Sequence, residues 1–108
     1  MLTLFAGQVL GQSIEDRFER VLERFQTNDF ATALVEADAI IATLQEPQAG
    51  DYPDRSWQDI QYVKAVILKA DGQCGAMISQ LSSTYLPRYF AQATQLEAEC
   101  YEALNDWL

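Results

Sequence analysis

The sequence predicts an all-α protein, an antiparallel bundle of four to five helices, and three observations lead to this prediction. Apolar residues recur at helical spacing along most of the chain. Ser, Asn, Asp, Gly and Pro residues lie between these stretches, where helices begin and end. The length of 108 residues, with 49% hydrophobic and 21% charged residues, is typical of one globular domain with its own core. We therefore divide the chain into an arm, residues 1–12, and one helical domain, residues 13–108.

The arm is apolar and contains no basic residue. It is too short to span a membrane, and nothing in it resembles a targeting signal. Its large apolar side chains need cover, either from the domain's own core or from a second subunit. On the second interpretation the chain is a homodimer, and the residues predicted for self-association are Leu2, Leu4, Phe5, Val9 and Leu10.

The first two helices are predicted at 13–26 and 30–45. Ser13 is the expected N-cap of the first helix, with Asp16 three residues later. The apolar side of this helix is formed by Ile14, Phe18, Val21, Leu22 and Phe25. The second helix is apolar almost all round, because residues such as Val35 and Ala39 widen its main stripe. We therefore expect it to be the central helix, covered on more than one side.

The turn between these helices has a recognisable pattern. Asn28 can adopt the left-handed conformation that ends a helix, and either Asn28 or Asp29 can cap the next one. The pattern resembles the middle of a tetratricopeptide repeat, matched by Asn28, Asp29, Phe30, Ala33 and Leu34. The resemblance covers one hairpin, and Ala37 stands where that family has a large aromatic residue. It implies a tetratricopeptide-repeat-like helical hairpin within the bundle, without membership of the family.

Three further helices are predicted at 56–71, 76–85 and 88–106. The loop before them contains Pro47, Gly50 and Pro53, and Ser56 is the expected N-cap with Asp59 at the third helical position. Gly72 is the expected stop, although one kinked helix over residues 56–85 is an alternative. Pro87 suits the first turn of the last helix.

The last helix carries the predicted partner-binding residues. Its expected buried seam has alternating spacings of four and three: Tyr89, Ala93, Leu96, Cys100, Ala103 and Trp107, joined by Phe90 and Leu104. Acidic residues gather near its C-terminus with no basic residue nearby in sequence, against the helix dipole. Because such conflicts sometimes accompany function, we predict an acidic ridge that binds a basic partner. The predicted partner-binding residues are Glu97, Glu99, Glu102, Asp106 and Trp107, together with Tyr52 in the loop.

Charge and composition exclude several classes of function. The net charge of −9 disfavours nucleic acids and anionic membranes as partners, while it permits a basic protein. The chain has no histidine, which removes most familiar catalytic and metal-binding arrangements. We predict no catalytic residue, no metal site and no cofactor. Cys74 and Cys100 are interpreted as reduced thiols of a cytoplasmic protein, with a disulfide between them as the alternative.

These observations predict a small acidic protein–protein interaction or adaptor module without catalytic activity. The anchors expected to give affinity are aromatic: Trp107, Trp57, Tyr52 and Tyr101. One alternative is an inhibitor of a basic enzyme, because Tyr52 and Pro53 before a helix resemble the Tyr-Pro loop of nuclease immunity proteins, which are also small, acidic and helical. Another alternative is a structural subunit of a homo-oligomer, assembled through the arm and the last helix.

Overall fold

A computed structural model describes residues 13–105, and these residues are helical and compatible with a bundle. Within them lie five α-helices and one short 3-10 turn, and no strand. We number the helices α1 Ile14–Gln26, α2 Phe30–Thr43, α3 Arg55–Ala70, α4 Cys74–Ser82 and α5 Phe90–Asn105, with the 3-10 turn at Pro87–Tyr89. Each helix begins within two residues of its predicted start. No helix in this range is long and apolar enough to cross a membrane.

The signals for the helix ends of α1 and α2 act as predicted. The Ser13 hydroxyl accepts a hydrogen bond of 3.0 Å from the backbone N–H of Asp16. Asn28 has a φ of 63°, in the left-handed region that ends a helix. The Asp29 carboxylate then caps α2 by accepting a 3.3 Å bond from the N–H of Thr32. These local bonds place α1 beside α2 as a helical hairpin.

The break after α3 also follows the sequence. Gly72 has a φ of 77°, which glycine adopts without strain, and residues 55–82 form two helices instead of one. The start of α3 differs from the prediction. Asp54 is the N-cap residue and makes no side-chain capping bond, so Ser56 and Asp59 do not form a capping box. Asp59 instead accepts a hydrogen bond from the Tyr89 hydroxyl and pairs with Arg55 at 3.8 Å.

The central helix is α3, which corrects the expectation that α2 is central. The core has two clusters, one built with α1 and α2 and the other with α4 and α5, and α3 contributes to both. Of α3, Ile60 and Ile67 lie in the first cluster and Ala65 and Leu68 in the second. On α2, by contrast, Val35 is 68% exposed. Apolar composition alone therefore overestimated how far α2 is covered.

Two polar residues of α3, both glutamines, are buried, and for this reason the sequence pattern of α3 did not indicate that it is the central helix. Gln58 is fully buried; its Nε2 donates to the carbonyl of Pro53, and its Oε1 accepts from the N–H of Arg88, both at 2.9 Å. Gln61 is also buried, and its side-chain oxygen accepts a 2.8 Å bond from Nε2 of Gln80. Because each buried amide has partners, these residues bridge segments instead of facing water.

A disulfide joins Cys74 at the start of α4 to Cys100 in α5. The interpretation of both cysteines as reduced thiols is therefore wrong for this structure, and the alternative pairing is the one observed. Cys100 is fully buried and its sulfur lies 3.8 Å from that of Met77. The two residues are 26 positions apart, so only the packing of α4 against α5 brings them together.

Candidate functional site

Helix α5 has one buried side and, next to it, a mixed stripe in which three exposed large hydrophobic residues alternate with an exposed threonine and a partly buried glutamate. Ala93 and Cys100 of the predicted seam are buried, and Tyr89 and Leu96 pack partly against the same core. Phe90 and Leu104, which were predicted to join the seam, are 74% and 42% exposed instead. They belong to a second set of positions with spacings of four and three, which lie on one side of the helix. We call this set the α5 stripe: Phe90, Thr94, Glu97, Tyr101 and Leu104.

A groove runs beside the first half of the α5 stripe. Its volume is about 230 Å³. One wall comes from the end of α4 and the following segment, with Leu81, Tyr85 and Leu86, and the other from Phe90 and Glu97 of α5. Tyr85 is 62% exposed, so two large aromatic rings border the groove and face solvent. Leu86 is buried and belongs to the core cluster of α4 and α5, which holds this segment in place.

The described acidic residues of α5 border two different surface depressions. Glu97 lies in the groove, whereas Glu99 and Glu102 border a separate surface depression with Ala103. Glu99 forms a salt bridge with Lys69 of α3, a basic residue that is 30 positions away in sequence and is brought close only by the packing of α3 against α5. The hydrogen bond from Lys69, together with its charge, lowers the pKa of the Glu99 carboxyl. Among residues 13–105, Glu97 takes part in no salt bridge.

The predicted aromatic anchors differ in their accessibility. Tyr52 is 67% exposed and Tyr101 is 50% exposed, so both side chains are available to a partner. Trp57 is only 6% exposed and lies in the core, which rules it out as an anchor on this surface. Tyr52 borders a polar depression with Glu46, Asp51 and Asp54.

Several predicted residues fall outside the described part of the chain. They are Asp106 and Trp107 of the acidic ridge, and the five arm residues assigned to self-association, Leu2, Leu4, Phe5, Val9 and Leu10. Their roles remain predictions.

Sequence reasoning missed two aromatic residues at the groove. Phe90 was assigned to the buried seam, and Tyr85 is the last residue of the helix predicted at 76–85, whereas α4 ends at Ser82. A signal for Phe90 was present, because the residues at spacings of four and three from it form a complete stripe next to the seam. The sequence could not show which of two adjacent stripes the core would cover.

The described residues contain no group of three His, Cys, Asp or Glu side chains that could hold a metal ion. Comparison of the chain with known protein families, with curated proteins and with solved structures gave no match.

Proposed function

We propose that this chain is a small acidic protein–protein interaction module without catalytic activity of its own, and that the α5 stripe is its docking surface. The observation that carries the proposal is the exposure of Phe90, at 74%, beside a groove that Tyr85 also borders. Soluble monomers rarely expose contiguous apolar patches larger than a few hundred Å², and such patches often mark interaction sites. Phe and Tyr are also enriched where protein surfaces meet.

The scaffold beneath this surface is held from several directions. The disulfide fixes α5 to the start of α4, and Gln58 ties α3 to the 3-10 turn just before Phe90. Tyr89 stacks on Tyr62 with ring centroids 4.4 Å apart. A surface fixed in this way loses little conformational entropy when a partner binds, which favours affinity. At the other end, the α1–α2 hairpin resembles the hairpin of a tetratricopeptide repeat, and the cap at Asp29 supports the likeness.

The paired cysteines also bear on location. The sequence, with no recognised secretory signal, was interpreted as that of a cytoplasmic protein with reduced thiols, whereas structural disulfides are typical of oxidising compartments. The pairing of Cys74 with Cys100 therefore favours such a compartment.

The test is a displayed library of short peptides selected on the full-length protein. Enriched peptides are then measured against the double variant Phe90→Ser/Tyr101→Ser, and against Tyr52→Ser as a matched control that removes an aromatic ring elsewhere. We expect binding to be lost with the double variant and kept with the control. Far-UV circular dichroism of each variant checks that its helices are intact. If no peptide distinguishes the wild type from the double variant, the α5 stripe is not a docking surface.

An inhibitor of a basic enzyme is the second candidate function, and the exposure of Tyr52 favours it. This ring stands among Glu46, Asp51 and Asp54, which would meet a basic surface. The control variant above separates the two functions, because an inhibitor of this kind would lose binding with Tyr52→Ser.

A homo-oligomer subunit is a third candidate, and the solution mass of the full chain by light scattering tests it.

A further inference from the structure

The spacing of the exposed residues on α5 defines the shape of what could cover them. Phe90 and Leu104 are the ends of the α5 stripe, and a helical rise of 1.5 Å per residue puts them about 21 Å apart. Spacings of four and three residues match those of another helix lying nearly parallel or antiparallel to α5. An α-helix of about four turns would therefore cover the stripe from end to end.

The carboxylate of Glu97 determines the charge of that helix. Glu97 lies midway along the stripe, seven residues from each end, with Thr94 and Tyr101 one turn away on either side. Any helix that covers both Phe90 and Tyr101 must also cover Glu97 and remove water from its carboxylate. Burying an unpaired carboxylate is costly, and Glu97 has no cation partner among residues 13–105. The covering helix must therefore supply a Lys or Arg at its centre.

A second copy of this chain fits the stripe poorly. When two α5 helices pair symmetrically in the register that covers the whole stripe, Glu97 faces Glu97 in both the parallel and the antiparallel arrangement. Two carboxylates facing each other repel and would both lose water. The net charge of −9 adds repulsion between copies, while it attracts a basic partner.

We propose that the α5 stripe binds a basic amphipathic helix, with a Lys or Arg opposite Glu97 and apolar residues on both sides of it. This inference rests on the proposed function and adds the class of partner. The apolar side chains of the helix would contact Phe90, Tyr101 and Leu104, and one would enter the groove between Tyr85 and Phe90. Helix-in-groove recognition of this kind uses apolar anchors one and two turns apart.

The experiment uses two synthetic helical peptides that differ only at their centre. Both have Leu at the positions facing the apolar residues of the stripe; one has Lys opposite Glu97 and the other has Glu. Binding to the full-length protein is measured by isothermal titration calorimetry at two salt concentrations. We expect the Lys peptide to bind at least about tenfold more tightly than the Glu peptide, with a smaller difference at high salt.

Variants of Glu97 give the decisive comparison. Glu97→Lys is expected to reverse the preference, so that the Glu peptide binds more tightly, and Glu97→Gln to abolish it. Glu23→Gln, which removes an exposed carboxylate from α1, is the matched control and should leave the preference unchanged.

The outcomes separate this inference from the proposed function. Equal binding of both peptides that still depends on Phe90 would overturn the basic-helix assignment and leave the docking surface standing. Failure of both peptides, while library peptides bind in a Phe90-dependent way, would also overturn the basic helix. If no peptide binds in a way that depends on Phe90, the proposed docking surface itself is refuted, and the basic-helix assignment with it.

Discussion

The cross-link between Cys74 and Cys100 should supply a large part of the stability of this domain. It closes a loop of 26 residues that contains all of α4 and most of α5. Reduction keeps both sulfur atoms in the protein and removes no side-chain volume, so it breaks the cross-link without opening a cavity around the buried Cys100. The perturbation is therefore reduction of the wild-type protein, with the double variant Cys74→Ala/Cys100→Ala as a second form without the bond.

The magnitude follows from the length of the loop. The chain-entropy model gives about 3.5 kcal/mol at 25 °C for a loop of this length, through the disorder that the bond removes from the unfolded chain. The double variant should lose more, about 4–5 kcal/mol, because Cys100 packs against Met77 and alanine leaves part of that space empty. For a domain whose total stability is about 5–15 kcal/mol, both losses are substantial.

The assay is urea unfolding followed by far-UV circular dichroism, with and without a phosphine reductant. Mass spectrometry of the untreated protein should find it two hydrogen atoms lighter than the reduced form. If the untreated protein has free thiols, the pairing is wrong. If the bond is present and reduction changes the free energy of unfolding by less than about 1 kcal/mol, the loop-entropy reasoning is refuted, because the unfolded chain would then be restricted already.

Three further predictions concern single residues. Gln58→Ala should lower the free energy of unfolding by about 2–4 kcal/mol, because it leaves the buried carbonyl of Pro53 and the N–H of Arg88 without partners; urea unfolding measures this. Asn28→Ala should cost about 1 kcal/mol, whereas Asn28→Gly should be nearly neutral, because only glycine adopts a φ of 63° freely; thermal unfolding compares the two. Burial, followed by a hydrogen bond to a carboxylate, raises the pKa of Tyr89 above its ordinary 10.0. The stability that this shift contributes is present below pH 10 and lost as the pH rises through the folded pKa, so Tyr89→Phe should flatten the alkaline dependence of the free energy of unfolding.

Each of these three predictions has either a control variant or an outcome that would contradict it. Gln45→Ala changes an exposed glutamine and should shift stability by less than about 0.5 kcal/mol. Equal stability of the alanine and glycine variants of Asn28 would contradict the conformational argument. For Tyr89, parallel curves of stability against pH for the wild type and Tyr89→Phe would show that the hydroxyl titrates alike in the folded and unfolded chains.

The helices and their ends could be predicted because their causes lie within a few residues. The bond from Ser13 to Asp16 spans three positions, and the left-handed turns at Asn28 and Gly72 depend on the residue itself. The apolar side of α1 was also predictable from local spacing: Val21 is buried and Phe18 and Phe25 pack against the same core, although Leu22 at the edge of this side is exposed. Of the residues in the proposed docking surface, Glu97 and Tyr101 were singled out from the sequence for partner binding, whereas Phe90 was assigned to the interior and is exposed.

By itself the sequence determined that the chain is helical, where the helices begin, and that its surface is acidic, because spacing, capping and net charge are properties of short stretches or of composition. The tertiary structure decided which helix is central, that Cys74 pairs with Cys100, and that Phe90 faces solvent. Each of these depends on contacts between distant residues, such as the bond from Arg88 to Gln58 across 30 positions. Helix α5 has two adjacent stripes with the same spacing, and only the packing of α3 and α4 determines which one is buried and which remains largely exposed.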